Sequence, residues 1–94
     1  MAIEYIPPQD IEVEASCLSS VLLSKEALLK VIEILQPEDF YLDAHKTIFN
    51  VILELERKNL PVDLITLKQR LTDRGQFDKI GGDSSLVDLY RTVS

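Results

Sequence analysis

The chain has 94 residues, 46% of them hydrophobic and 28% charged, with acidic residues exceeding basic ones 16 to 10 for a formal net charge of -6. That length makes one small domain able to fold alone, and the apolar fraction argues against disorder. The acidic balance weighs against autonomous nucleic-acid binding, and the single cysteine, Cys17, excludes an internal disulfide or a cysteine-based zinc site.

Met1 to Gln9 reads as an extended arm, because Pro7 and Pro8 oppose helix. Tyr5 and Ile6 either pack back on the body or meet a partner, and a simple tethered terminus is the favoured reading. The segment lacks the basic and apolar regions of a secretory signal, and no apolar run nears the ~18 residues of a membrane span. A soluble, cytoplasmic protein is expected.

A first helix is predicted from Asp10, a good cap, to Leu23. Ile11, Ala15, Leu18 and Leu22 form one apolar row, with Cys17 and Val21 beside it. Cys17 is expected to be a small buried hydrophobe. Ser24 caps a second helix with Leu28, Val31, Ile32 and Leu35 on its inner face, and Pro37 closes it. With so short a joint, the two helices must fold back sharply or meet at an angle.

Pro37-Glu38-Asp39-Phe40-Tyr41 reads as a single turn presenting both aromatics to the core. The central element follows, a long helix over about 43–58. Ile48, Val51, Ile52 and Leu55 recur at helical spacing, and Phe49 and Leu53 widen the face so that it touches neighbours on more than one side. Asp43 is placed to cap its start, Arg57 and Lys58 suit its C-terminal dipole, and Asn59 can take the left-handed stop. After extended Leu60-Pro61-Val62, Asp63 caps a fourth helix to about Arg74, with Leu64, Leu67 and Leu71 inward and Gly75 ending it. Phe77 and Ile80 plug a loop over Gln76 to Gly82. Asp83 then caps a last helix with Leu86, Leu89, Tyr90 and Val93 at helical spacing. The class is all-α, a compact orthogonal bundle of about five helices plus a short helical turn.

Chemistry-bearing patterns are sparse. His45 is the only histidine, so it cannot build a multi-histidine metal site, and no nucleophile and orienting group stand beside it in sequence. A structural hydrogen bond to a neighbouring loop is the favoured role. Glu12/Glu14, Glu38/Asp39 and Glu54/Glu56 sit at spacings that do not share a helical face, so each reads as solvated surface. Gly81-Gly82-Asp83-Ser84 could hold phosphate at a helix start, but no G-x-x-x-x-G-K-[ST] occurs and Asp83 would fill the site with its own charge. The expectation is no catalytic, cofactor-binding or metal-binding residue in this chain, and a role in binding instead.

In order, Ile11-Glu12-x-Glu14-Ala15, Leu22-Leu23, Ala27-Leu28, Pro37-Glu38-Asp39-Phe40-Tyr41, Ala44-His45-Lys46-x-Ile48-Phe49, Pro61-Val62-Asp63-Leu64-x-Thr66-Leu67, Gly75 and Gly81-Gly82 resemble the start of the bacterial replicative helicases of the DnaB family. The resemblance runs from Ile6 to Val93 and departs at Cys17-Leu18-Ser19-Ser20, where small residues and glycine are expected. Phe40, Tyr41, His45, Ile48, Phe49, Asp63 and Gly75 are its structural motif residues.

The resemblance implies a helical head domain over 10–94, following the arm over 1–9. The helical hairpin that pairs neighbouring heads, the linker and the ATPase motor would lie beyond Ser94. It implies a non-catalytic interaction domain of a hexameric helicase, supporting the ring and collar and recruiting primase during DNA replication. Neighbouring helicase subunits, primase and a helicase loader are the implied partners, with no direct nucleic-acid contact and no membrane. ATP and Mg²⁺ would belong to the full-length helicase, in a bacterial cytoplasmic replisome. The alternative is the helicase-binding domain of a primase or another small helical adaptor. Met1 and the proline arm favour a true N-terminus and hence the helicase. A small enzyme using His45 and nearby carboxylates is the third and weakest reading.

Overall fold

A computed structural model describes residues 10–91. The arm over 1–9 and Val93 lie outside the described residues. Those described form five α-helices and no strand: α1 (Asp10–Leu23), α2 (Lys25–Ile34), α3 (Asp43–Arg57), α4 (Leu64–Asp73) and α5 (Gly82–Arg91), with a 3₁₀ turn at Pro37–Asp39 between α2 and α3. The all-α expectation holds.

The core gathers around α3. Its residues Ile48, Phe49, Val51 and Ile52 are fully buried and Leu55 nearly so. Such a wide apolar face needs cover on several sides, and α1, α4 and the 3₁₀ turn supply it. Helix α1 contributes Ala15, Leu18, Val21 and Leu22, α4 contributes Leu67 and Leu71, and α5 contributes Leu86 and Leu89. Helix α1 also packs on α2 and α5, so it touches three of the other four helices.

Only Ser24 separates α1 from α2. Its extended backbone (φ -140°, ψ 120°) turns the chain, and its hydroxyl accepts from the Ala27 N–H at 3.2 Å. Beyond α2, Pro37 restricts Gln36 to an extended conformation (ψ 160°), and the Asp39 carboxylate accepts the Gln36 N–H at 2.8 Å. Asp39 is therefore engaged within the turn.

Both central stops form as the residue types imply. Asn59 takes φ 58°, and the Leu60 N–H donates to the Leu55 carbonyl at 2.9 Å. Gly75 takes φ 69°, and the Gln76 N–H donates to the Leu71 carbonyl at 2.8 Å. Each closes the orphan carbonyls of the last turn through one left-handed residue. Asp63 and Thr66 exchange reciprocal bonds at the start of α4, 2.9 Å to the Asp63 carboxylate and 3.0 Å to the Thr66 hydroxyl.

Several side chains depart from the expected placement. Asp43 is the first residue of α3 and not its cap: Leu42 holds the cap position without a side-chain bond, and the Asp43 carboxylate points outward 3.8 Å from Lys46 Nζ. Asp83 likewise lies inside the first turn of α5, paired with Lys68 at 3.1 Å. Phe40 enters the core but the Tyr41 side chain does not, because alternate residues of an extended stretch point to opposite sides. Leu64 faces out, since helix α4 presents only the Leu67/Leu71 row to α3. Cys17 is half-buried, and burial pushes its thiol pKa up, with the negative charge of Glu14 adding to the shift. Next to it, where the resemblance leads to an expectation of small residues and glycine, Leu18 and Ser19 are fully buried, and the Ser19 hydroxyl donates to the Leu89 carbonyl across to α5. A small side chain is still used there, with a polar tie to the neighbouring helix.

Candidate functional site

The motif residues divide into three groups. Phe40, His45 and Phe49 come together: the two phenyl rings are 5.1 Å apart and tilted by 42°, and the His45 ring meets Phe40 edge-on at 6.4 Å. Ile48 lies behind them in the core, while Asp63 and Gly75 bracket α4 as its start and stop. Tyr41 stands apart, 53% exposed.

His45 is 5% exposed and sits in the first turn of α3. Its Nδ1 is 2.8 Å from Oε1 of Glu14 on α1. A carboxylate only accepts, so the ring donates through Nδ1. Glu14, 8% exposed, accepts in addition from the backbone N–H of Tyr41 and, at 3.5 Å, from that of Leu42. Solvated surface is thus the wrong reading of Glu14. Negative charge at a helix start is favoured by the dipole, and here the charge comes from another helix in place of a local cap. One carboxylate ties α1, the 40–42 turn and α3 together.

Glu54 and Glu56 are not free surface either. The Arg70 Nε lies 3.0 Å from Glu54 Oε2, Lys58 Nζ 3.1 Å from the same oxygen, and Arg74 Nη1 2.9 Å from Oε1. The Arg70 hydrogen bond and then that of Lys58 lower the Glu54 pKa from 4.5 to about 2. Glu56 pairs with Lys25 of α2 at 3.2 Å. The i, i+4 partner Lys58 was legible from spacing, whereas Arg70 and Arg74 arrive only through the packing of α4 on α3.

Two recesses flank α5. Between α4 and α5 a groove of about 450 Å³ is lined by Leu64, Ile65, Leu86, Val87 and Tyr90, with Lys68, Asp83 and Arg91 among its polar members. Ile65 is 80% exposed and Val87 57% exposed. A larger depression of about 890 Å³ runs between α1 and α5, past Ile11, Glu12, His45, Ser84 and Ser85. His45 shows only an edge there, since Glu14 holds its Nδ1 side. Among the described residues, no three His, Cys, Asp or Glu side chains gather as metal ligands would, and no helix is long and apolar enough to cross a membrane.

These features define a class first: a small all-α domain built on one central helix, its buried polar pair spent on holding helices together. The comparisons narrow this to a family. The family model of the DnaB-like helicase N-terminal domain matches residues 6–94, and the chain belongs to that family. It is similar to the replicative DNA helicase DnaB of Geobacillus stearothermophilus, 45% identical over 90 residues that make up 96% of this chain and 20% of that protein. The Mycobacterium leprae DnaB is 41% identical over 87 residues, 93% of this chain and 14% of the relative. The chain thus spans about a fifth or less of these relatives. Among solved structures, the N-terminal domain of DnaB helicase from Mycobacterium tuberculosis superposes with a TM-score of 0.85 at 42% identity, covering 95% of this chain and 62% of that one.

Proposed function

We propose that this chain is the N-terminal head of a hexameric replicative DNA helicase, a non-catalytic interaction domain that supports the ring and its collar and recruits primase. Residues 10–94 are the head and 1–9 its leading arm. Its partners are neighbouring helicase subunits, primase and a helicase loader in a bacterial cytoplasm, with no direct hold on nucleic acid. ATP and Mg²⁺ serve the motor of the full-length protein. The family match supports the helicase side over the primase side of this partnership.

The observation that carries the reading is the exposed apolar flank of α4 and α5. Small soluble domains seldom leave neighbouring large apolar side chains such as Leu64, Ile65 and Val87 open to water without use. The test is binding of the 94-residue chain to the helicase-binding domain of a primase, by calorimetry. Binding that Val87→Asp abolishes, with an unchanged thermal melt, is expected. No binding, or binding indifferent to that change, contradicts the placement of the surface. On its own the 94-residue chain should sediment as a monomer at micromolar concentration, and a stable hexamer would contradict that expectation.

A further inference from the structure

The negative charge of the chain is not spread evenly. Seven of its 16 acidic residues lie over 10–24 and 31–45, which hold no Lys or Arg, and the rest of the chain has nine acidic residues against all 10 basic ones. These two segments are α1 with Ser24, and the path from the last turn of α2 through the 3₁₀ turn into α3. Between them lies a cleft of about 310 Å³. Phe40 is its buried floor, with half-buried Leu35 and Val13, 64% exposed, as apolar walls. Asp10 and Asp39 stand on its rim, and Asp39 spends one oxygen on the Gln36 N–H at 2.8 Å. Neither carboxylate pairs with a cation among the described residues. Glu14 also lines the cleft, already held by His45 and the 40–42 turn. The cations that border the two segments in sequence, Lys25, Lys30 and Lys46, are turned to Glu56, Glu26 and Asp43. Among the described residues, every charged side chain lining the cleft is negative.

We propose that this cleft is a docking site for a short basic, apolar peptide segment of a partner protein. A large apolar side chain enters over Phe40 between Val13 and Leu35, and flanking Lys or Arg side chains meet the Asp10 and Asp39 carboxylates. Charge complementarity selects this occupant. The rim carries carboxylates and no cation while the rest of the chain is close to neutral, so a basic segment is drawn to this flank and an acidic one repelled from it. The apolar walls disfavour a polyamine or a metal ion, which would find the carboxylates but gain nothing from Val13 or Leu35. A volume near the small end of ligand pockets suits one or two side chains of an extended segment. Residues 1–9 of the chain itself carry Glu4 and no Lys or Arg, so the same charge does not draw them in. A second copy is a poor occupant, because eight of its 10 cations already pair with its own carboxylates. The cleft shares no lining residue with the α4–α5 groove and does not depend on the helicase reading.

The experiment is selection of a random dodecapeptide display library on the immobilised 94-residue chain, with Asp10→Lys for counter-selection. The best peptide is then titrated into the ¹⁵N-labelled chain. Expected is a consensus of a large apolar residue flanked by Lys or Arg, with saturable shifts at Val13, Cys17 and Leu35. Asp10→Lys should weaken binding about tenfold or more, and Val13→Ser, which removes an exposed wall, should weaken it several-fold. Asp39→Asn keeps an acceptor for the Gln36 N–H and should still weaken binding, whereas Val87→Ser should leave it unchanged. Enrichment of acidic or uncharged peptides, of basic peptides without an apolar residue, or of none at all overturns the proposal. So do shifts centred on the α4–α5 groove, equal binding by Asp10→Lys and Asp39→Asn, spermine moving the same amides as strongly at equal concentration, or self-association through Val13 in sedimentation. Because Val87→Ser reads the groove and Val13→Ser reads the cleft, failure here and failure of the helicase reading are distinguishable.

Discussion

The two ends of α3 solve the same problem in opposite ways. At the start, Glu14 is brought in from α1 and buried with His45, receiving the N–H groups of Tyr41 and Leu42. At the other end, Glu54, its own side chain 12% exposed, sits among the cations Arg70, Arg74 and Lys58, which are a third to a half open to water. The first site has few partners in a dry place; the second has many partners in a wet one. Coulomb attraction and hydrogen bonds grow as the surroundings dry out, and so does the cost of leaving one partner alone. The buried pair should therefore dominate stability, although the exposed cluster has more ion pairs.

Glu14→Ala is the harshest way to break that comparison. It strands the buried His45 ring and two backbone N–H groups, and loss of one member of a buried pair costs about 3–5 kcal/mol. Domains of this kind hold only about 5–15 kcal/mol in total, so a urea titration should find the variant close to unfolding. A loss near zero would place Glu14 in solvent. Ile52→Ala, midway between the two ends and fully buried, sets the scale for pure packing, with an expected loss of about 2–5 kcal/mol by the same titration. A fall below ~0.5 kcal/mol would take Ile52 out of the core.

The smallest effect belongs to Glu54, and pH resolves it. Its pKa is lowered from 4.5 to about 2 by Arg70 and then Lys58. A depressed folded-state pKa contributes stability that is present above the unfolded value and lost as pH falls through the folded one. The stability difference between the native chain and Glu54→Gln should hold at neutral pH and shrink as pH drops from about 4.5 to about 2. Added salt should shrink it too, because exposed pairs are screened. The Glu14 variant should show little of that salt response. Equal salt sensitivity at both ends would erase the distinction between them.

How far each end could be read from sequence follows the same line. The stops at Asn59 and Gly75 and the caps at Ser24 and Asp63 are local, each set by residues within one turn, and all four stand where residue type places them. The apolar row of α3 is equally local, and it led directly to the buried face. Glu14 and Glu54 were misread because their partners lie 31 and 16 residues away, at His45 and Arg70. Rules for neighbours on one helix do not reach across a packed interface. Asp43 shows the converse: residue type makes an acid at a helix start its cap, yet the cap position lies one residue earlier at Leu42 and a distant carboxylate serves it. For His45, a structural hydrogen bond was expected and is present, though its partner is a buried carboxylate on α1 and not a loop. The open α4–α5 flank is not legible in the sequence, because helical spacing counts Leu64 as inward and does not show that Ile65 and Val87 face one groove.

The central claim is that His45 and Glu14 act as one unit clamping α1 to the start of α3. A double-mutant cycle of Glu14→Gln and His45→Asn, read by urea unfolding at neutral pH, tests it most directly. Groups in direct contact couple by about 0.5–3 kcal/mol, whereas independent sites add to within about 0.3–0.5 kcal/mol. A coupling of more than ~1 kcal/mol is expected; additive single effects would contradict the clamp.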